Sequence, residues 1–203
     1  MSFLEHAVRV ASILNGIGIR YTLVGGVACI LMGVRRVTED VDYLIEINSP
    51  DEIEKLVEGL RRAGYDLRLE EALGAYRDQG HFTVLTEECR LDFKIAKNRL
   101  DFETLNTAVQ VHIECVDLKM ARLEENIVAK VLVLGSLKDL EDALWLMTQY
   151  YDIIDWNRIH ELVGSDLKGK IKRLLTKIAK EFKENEAVQG RVRRLKELLS
   201  SLD

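Results

Sequence analysis

Three aspartates in two short segments are the residues of this chain best suited to bind divalent cations. Asp40 and Asp42 alternate with apolar residues in a segment that predicts a β-strand over Val41 to Ile47. Strand alternation directs both carboxylates to the same side, with their α-carbons roughly 6.5–7 Å apart. Asp92 lies on the polar side of another predicted strand. Hard cations such as Mg²⁺ prefer oxygen ligands of this kind.

These carboxylates converge on one patch if the two strands are neighbours in a sheet. Such a patch holds two metal ions about 3.5–4 Å apart, which stabilise the attacking and leaving oxygens in phosphoryl transfer. The alternative for Asp40 and Asp42 is the solvent side of an edge strand. The alternative for Asp92 is a surface ladder of charges, because Arg90 and Lys94 share its side of the strand.

A glycine pair that precedes the aspartates predicts a phosphate-binding turn. Gly25 and Gly26 end a predicted strand, Tyr21 to Val24, and begin a predicted helix, Val27 to Met32. Glycines let the backbone approach a ligand closely, and the amides at a helix N-terminus attract anions. Most glycine pairs are only turns, so the prediction depends on the polar residues at alternate positions beyond the helix. These residues are Arg36, Thr38, Asp40 and Asp42.

This combination resembles the nucleotidyltransferase superfamily in its small, minimal form. The matching residues are Gly25-Gly26 and the run Arg36-Val37-Thr38-Glu39-Asp40-Val41-Asp42. The later segment from Arg122 to Lys130, followed by Lys138-Asp139 and Asp142, is similar to the AbiE-toxin-like (AbiEii-type) branch. The resemblance covers most of residues 18 to 146. The chain departs from that branch at residues 135–137, where relatives often carry an arginine.

The resemblance implies an enzyme that transfers a nucleoside monophosphate from a nucleoside triphosphate, such as ATP, to a hydroxyl group. The acceptor is RNA, a protein or a small molecule, and a toxin-like role is one possibility. Two Mg²⁺ ions would bind Asp40, Asp42 and Asp92, and Asp92 would help to activate the acceptor. The implied nucleotide-binding residues are Gly25, Gly26, Arg36, Thr38 and Lys130, and the implied supporting residues are Asp139 and Asp142.

Lys130, Asp139 and Asp142 also have a structural interpretation. On a helical wheel Lys130 lies about 60° from Ile127, at the border of the apolar stripe. A lysine at such a border often extends its ammonium group to water. Asp139 and Asp142 are three residues apart, which is equally typical of a solvated helix face that pairs with Lys138.

The sequence patterns around these residues predict a mixed α/β part followed by helices. A polar turn, residues 86–88, joins His81 to Leu85 and Arg90 to Ala96 into a predicted hairpin. Gln110 to Cys115 predicts another strand. Leu67 to Gly80 predicts irregular or short-stranded structure. From Leu118 onward, helical spacing continues almost to the end.

The predicted fold class is therefore α/β (α+β), a nucleotidyltransferase-like mixed sheet flanked by helices, with a C-terminal helical bundle. The predicted boundaries are a catalytic domain over residues 1–116 and a helical domain over residues 117–203. Sequence alone leaves open whether the helical part closes a cleft or recruits a partner protein.

Composition excludes several other classes of protein. The 203 residues are 47% hydrophobic and 31% charged, as in a chain that forms a core. No run approaches the roughly 20 apolar residues that span a bilayer, and the N-terminus lacks the pattern of a signal peptide. Cys29, Cys89 and Cys115 lack paired spacing, which predicts reduced thiols and a cytoplasmic location.

Charge is distributed unevenly along the chain. Residues 168–197 contain 11 Lys and Arg against 4 Glu, a balance of +7 within a net charge of −5. One interpretation is a solvated pair of amphipathic helices. The other is a docking surface for a polyanion such as RNA.

Two further hypotheses about function stay open. The chain could be a catalytically inactive binding module of the nucleotidyltransferase fold, for example a partner in a toxin–antitoxin pair. It could also be a nucleotidyltransferase that modifies drugs, which would require a deep acceptor pocket. Metal-dependent turnover distinguishes the enzyme from the binding module.

Overall fold

The computed structural model describes residues 2–113, 116–164 and 167–200. The strands in these ranges are β1 (Tyr21–Val24), β2 (Asp40–Ile45), β3 (His81–Leu85), β4 (Arg90–Ile95), β5 (Val109–Ile113) and β6 (Val116–Met120). The helices are α1 (Phe3–Ile17), α2 (Gly25–Leu31), α3 (Pro50–Arg62), α4 (Leu69–Arg77), α5 (Arg99–Asn106), α6 (Leu123–Val128), a π-helix (Ala129–Leu134), α7 (Leu137–Gln149), α8 (Trp156–Val163), α9 (Leu167–Glu181) and α10 (Glu186–Ser200).

The chain divides into two compact units. The first contains Met1–Leu31 and Arg35–Arg122, and the second contains Met32–Val34 and Leu123–Asp203. The division falls after β6 rather than at the predicted boundary between residues 116 and 117, because β6 pairs with β5 and β1 in the sheet. That residues 1–116 and 117–203 act as separate domains stays a prediction.

The described strands of the first unit form one sheet in the order β3-β4-β2-β1-β6-β5. The pairs β2–β4 and β1–β6 are parallel, and the other three pairs are antiparallel. The predicted mixed α/β fold is therefore confirmed. Because β2 lies between β1 and β4, its residues have neighbours on both sides, and they cannot be the solvent side of an edge strand.

One face of the sheet is apolar and determines which way the aspartates point. Tyr43 of β2 and Phe93 of β4 are fully buried, with stacked rings 5.3 Å apart. The Tyr43 hydroxyl also donates a 2.8 Å hydrogen bond to the Ala7 carbonyl of α1. Helices α1, α3 and α4 complete this core. Strand alternation then sends the even-numbered residues, Asp40, Asp42 and Asp92, to the opposite face.

Helix α5 packs on that opposite face and covers only part of it. Leu44 and Ala96 form a small apolar cluster with Leu105 of α5. Asn98 caps the N-terminus of the helix, because its side chain accepts a hydrogen bond from the Asp101 amide. On this face, called the open face below, the side chains of Asp40 and Asp92 are 41% and 20% exposed.

Three sequence-based expectations about elements were wrong or incomplete. Leu67 to Gly80, predicted to be irregular or short-stranded, contains helix α4. The helical pattern predicted from Leu118 begins with strand residues, since β6 extends to Met120. The strand predicted at Gln110 to Cys115 is β5, Val109–Ile113, and Cys115 lies outside the described residues.

The described part of the second unit is helical, as predicted. Helices α9 and α10 bury apolar stripes that include Leu175, Ile178, Val188 and Leu195. None of the helices in the described ranges is both long and apolar enough to cross a membrane. Cys29 and Cys89, both in the first unit, are buried.

Candidate nucleotide and metal site

The sheet register brings the predicted carboxylates together on the open face of the first unit. Asp42 of β2 lies directly opposite Asp92 of β4, and Asp40 lies opposite Arg90. Asp42 also lies opposite Val24, the last residue of β1 before the glycine turn. Neighbouring strands of a sheet lie about 4.7–4.9 Å apart. The aspartates and the glycine turn thus form one half-buried patch.

The side chain of Arg90 forms ion pairs with two of these carboxylates. Its Nε lies 3.0 Å from Asp40 Oδ1, and its Nη2 lies 3.2 Å from Asp92 Oδ2. The negative charge of Asp92, followed by that of Asp40, raises the pKa of the guanidinium group above its ordinary value. The Arg90 side chain is 54% exposed, so water screens both pairs.

Asp92 is held through both carboxylate oxygens. The Thr83 hydroxyl, directly opposite on β3, donates a 2.5 Å hydrogen bond to Asp92 Oδ1, while Arg90 contacts Oδ2. The Asp92 side chain is 20% exposed. The hydrogen bond from Thr83 restricts the rotation of this carboxylate, which is the property expected of a metal ligand or of a base.

The glycine turn has no room for side chains. Gly25 has φ +68°, and a β-carbon there would lie 2.8 Å from Asp42 Cγ and would overlap Asp42 Oδ2. A β-carbon on Gly26 would lie 2.7 Å from Thr38 Oγ1 and 3.4 Å from Arg36 Nη2. The backbone of the turn therefore lies against the residues that the sequence pattern associates with nucleotide binding.

Thr38 supports the start of β2 from beneath this turn. It is 7% exposed, and its hydroxyl lies 3.3 Å from the Asp40 carbonyl and 3.4 Å from the Asp40 amide. Its position against Gly26 and its contact with Asp40 link the turn to the strand that carries the aspartates.

Replacing Gly25 with alanine is expected to destabilise the first unit more than the same change at Gly18. Both residues have positive φ, which costs a non-glycine residue about 1–2 kcal/mol. A β-carbon on Gly18 meets no other atom within 4 Å, whereas one on Gly25 collides with Asp42. Such overpacking adds about 1–3 kcal/mol.

Urea unfolding followed by circular dichroism measures the free energy of unfolding of both glycine variants. Gly18→Ala isolates the backbone cost, and the difference between the variants isolates the collision. Equal losses of free energy of unfolding would contradict the close approach of Gly25 to Asp42. Nucleotide binding by calorimetry should be lost in Gly25→Ala and retained in Gly18→Ala.

The three carboxylates are ligands of the type that Mg²⁺ prefers, but they do not converge on one point. Asp40, Asp42 and Asp92 supply only oxygen ligands, as hard cations require. Among the described residues, no group of three or more His, Cys, Asp or Glu side chains is arranged to hold a metal ion. The Arg90 guanidinium instead forms ion pairs with Asp40 and Asp92.

Lys130, Asp139 and Asp142 form a separate cluster in the second unit. The Lys130 ammonium lies 2.9 Å from Asp139 Oδ1 and 2.9 Å from Asp142 Oδ2, and its side chain is only 2% exposed. It therefore does not extend to water as a border lysine would. Lys130 belongs to the π-helix, a conformation that is frequent at functional sites.

Ser136 completes this cluster at the start of α7. Its hydroxyl contacts Asp139 Oδ2 at 2.5 Å and also accepts a hydrogen bond from the Asp139 amide. Burial alone would raise the pKa of Asp139, but the hydrogen bond from Ser136 and the charge of Lys130 lower it below its ordinary value. Whether Lys130 contacts phosphate stays a prediction.

Sequence reasoning assigned no role to Arg90 or Thr83. Arg90 stands two residues before Asp92 on the same side of β4, which was visible as charge alternation. Thr83 faces Asp92 because the hairpin pairs His81 with Lys94 and Leu85 with Arg90. Four residues, 86–89, separate Leu85 from Arg90, one more than the predicted turn of residues 86–88, and this length sets the register.

A mixed sheet flanked by helices, with opposed aspartates beside a glycine turn, defines a nucleotidyltransferase-like α/β protein. The chain belongs to the family described as "Nucleotidyl transferase of unknown function (DUF2204)", whose model matches residues 3–197. The particular AbiEii-type branch is not established by this match.

Several solved structures are similar to this chain at low sequence identity. An antigenic nucleotidyltransferase-like protein from Paracoccidioides brasiliensis has 16% identity and a TM-score of 0.46, covering 94% of this chain and 92% of that chain. A tRNA nucleotidyltransferase complexed with a primer tRNA and an ATP analog has 19% identity and a TM-score of 0.41, covering 95% and 60%. The antibiotic-resistance factor ANT(2'')-Ia has 14% identity and a TM-score of 0.43, covering 94% and 97%. No curated protein sequence matches this chain significantly.

Proposed function

We propose that this protein is a metal-dependent nucleotidyltransferase that transfers a nucleoside monophosphate from a nucleoside triphosphate to a hydroxyl group. The observation that carries the proposal is the direct opposition of Asp42 and Asp92 beside the turn at Gly25. This arrangement places oxygen ligands next to backbone that can approach phosphate closely. Membership of a nucleotidyl transferase family supports the same reaction class.

The turn and the loop after it would bind the triphosphate. Gly25 and Gly26 offer backbone without side chains, and Arg36 and Thr38 lie against Gly26. A guanidinium group binds phosphate oxygens through two parallel hydrogen bonds. The triphosphate would therefore lie along the open face with its phosphates near Asp42.

The carboxylates would hold two Mg²⁺ ions and deprotonate the acceptor. When bound, the ions would neutralise charge on the reacting and leaving oxygens. Asp92, fixed by Thr83, would accept the proton of the acceptor hydroxyl. A bond forms between that oxygen and the α-phosphorus, the bond from the α-phosphorus to the bridging oxygen breaks, and pyrophosphate leaves. Positioning and charge neutralisation would supply most of the acceleration.

RNA is the acceptor that the charge distribution favours. In the second unit, α9 and α10 expose basic side chains that include Lys172, Arg173, Arg193 and Lys196. A cavity of about 300 Å³ also lies between α7 and α10. Its lining includes Trp145, Gln149, Arg191 and Arg194. Arginine and aromatic side chains together suit phosphate and base contacts.

A second candidate function is a binding module without turnover, for example a toxin–antitoxin partner. The ion pairs of Arg90 favour it, because they neutralise two of the three carboxylates without any metal. The two candidates differ in one property, which is nucleotide turnover that depends on Mg²⁺.

Incubation with α-labelled nucleoside triphosphates tests the proposal. Each triphosphate is added with Mg²⁺ and total cellular RNA, in the presence and absence of a chelator. Label on RNA, or on the protein itself, that appears only without chelator would support nucleotidyl transfer and identify the preferred nucleotide. Absence of label together with absence of metal-dependent triphosphate binding by calorimetry would favour the binding module.

A further inference from the structure

The Arg90 guanidinium lies where a cation is required between Asp40 and Asp92. It donates from Nε towards Asp40 at 3.0 Å and from Nη2 towards Asp92 at 3.2 Å, so one side chain links carboxylates on two parallel strands. Arg90 itself lies opposite Asp40, and Asp92 lies opposite Asp42. The positive charge therefore belongs to β4, the strand that carries Asp92, and not to a distant loop.

We propose that Arg90 is an exchangeable counter-ion that a divalent cation must displace, so that metal loading is weak until a triphosphate is also bound. The inference rests on the proposed function, since it assumes that the aspartates are metal ligands. In the absence of metal, Arg90 keeps the neighbouring carboxylates from repelling one another. A divalent cation carries twice the charge and displaces the guanidinium from both.

The exposure of the pair allows this exchange. The side chains of Arg90 and Asp40 are 54% and 41% exposed, and ion pairs in such surroundings are weak. Asp92 stays in place when Arg90 leaves, because Thr83 still donates to its other oxygen. Arg90 thus acts as a positioning residue in the metal-free protein and gives up its partners without releasing Asp92.

The displaced guanidinium gains a new anionic partner only when nucleotide is present. With metal alone, Arg90 loses two carboxylate partners and returns to water. With metal and triphosphate together, phosphate oxygens lie on the same face of the sheet and can accept from it. Metal and nucleotide therefore raise each other's affinity, and part of this coupling is due to Arg90.

Direct measurement of metal binding tests this role. Mn²⁺ replaces Mg²⁺, and its binding to the full chain is followed by electron paramagnetic resonance with and without a non-hydrolysable triphosphate analogue. Without nucleotide, Arg90→Ala is expected to bind Mn²⁺ about tenfold more tightly than the unaltered protein, because the competing charge is gone. The analogue should then increase Mn²⁺ affinity less in the variant than in the unaltered protein.

Arg20→Ala is the matched control. Arg20 also belongs to the first unit and pairs through Nε with Glu46 at 2.8 Å, and its side chain is 47% exposed. It precedes β1, at the opposite end of the β1–β2 pair from Asp42. Its removal subtracts the same charge without freeing a candidate ligand, so Mn²⁺ affinity should not change. Arg90→Gln repeats the test if Arg90→Ala does not fold.

The outcomes separate the inference from the proposed function. Tighter Mn²⁺ binding in Arg90→Ala, with Arg20→Ala unchanged, supports the exchange. Equal or weaker binding in Arg90→Ala overturns it and leaves the metal site standing. If the unaltered protein, Arg90→Ala and Asp42→Asn all fail to bind Mn²⁺, with and without the analogue, the metal site itself is absent and both proposals fail.

Discussion

Replacing Asp42 with asparagine is expected to lower the rate of nucleotidyl transfer at least about a thousandfold while the fold stays intact. Asparagine keeps the shape of aspartate but removes the charge that attracts a divalent cation. Asp42 is half-buried beside Asp92 and Gly25, so a change of shape would disturb the turn, whereas a change of charge alone would not. Pyrophosphate release at saturating nucleotide measures the effect.

Asp66→Asn is the control for this substitution. Asp66 lies in the same unit on an exposed loop, so its neutralisation changes the net charge without touching the sheet. We expect its rate to equal that of the unaltered protein. If the rate of nucleotidyl transfer fell less than tenfold in Asp42→Asn, Asp42 would not be a metal ligand during the reaction. Unchanged unfolding curves for both variants would assign the loss to chemistry rather than to stability.

Replacing Lys130 with methionine is expected to reduce the free energy of unfolding of the second unit by about 3–5 kcal/mol. The ammonium group contacts Asp139 and Asp142, and the Asp142 side chain is only 5% exposed. Methionine fills similar volume but leaves these carboxylates without their shared cation. Such an uncompensated buried charge costs more than the ion pair contributes.

Tryptophan fluorescence during urea unfolding reports on this unit specifically, because both tryptophans of the chain, Trp145 and Trp156, belong to it. Lys177→Met is the control, since Lys177 is exposed and should change stability by less than about 0.5 kcal/mol. Adding Asp139→Asn and Asp142→Leu to Lys130→Met should recover part of the loss. A loss below about 1 kcal/mol for Lys130→Met would contradict a structural role for the cluster.

The same cluster makes the stability of the second unit depend on pH. The pKa of Asp139 is lowered in the folded protein, so the folded state favours its ionised form more than the unfolded chain does. The resulting stability is present above the ordinary pKa of aspartate, about 3.9, and is lost as pH falls through the lowered value.

Local sequence patterns were sufficient to predict the strand that carries Asp40 and Asp42. Val41 and Tyr43 are buried and alternate with the aspartates, so the face of each residue followed from its position alone. The hairpin of β3 and β4 was predicted for the same reason. The opposition of Asp42 and Asp92 depends on a parallel register between segments some 50 residues apart along the chain, and no local pattern specifies it.

The elements that sequence reasoning missed carried weak or ambiguous patterns. Helix α4 buries only the small side chains of Ala72 and Ala75 and begins with two glutamates after Leu69, so its apolar pattern was weak. Strand β6 alternates Val116, Leu118 and Met120, but a helical pattern comes directly after it. The π-helix has no distinct composition, and the burial of Lys130 depends on partners from α7.

Neither compact unit is a continuous piece of the chain. Met32–Val34 is counted with the helical unit, although the chain before it forms α2 and the chain after it leads to Arg36 and β2. The Met32 carbonyl accepts a hydrogen bond from the Tyr150 hydroxyl. A gene fragment that encodes residues 1–122 would therefore carry three residues deprived of their neighbours, between the glycine turn and the aspartate strand. A single crossover at residue 122 would therefore separate Met32–Val34 from the rest of the second unit.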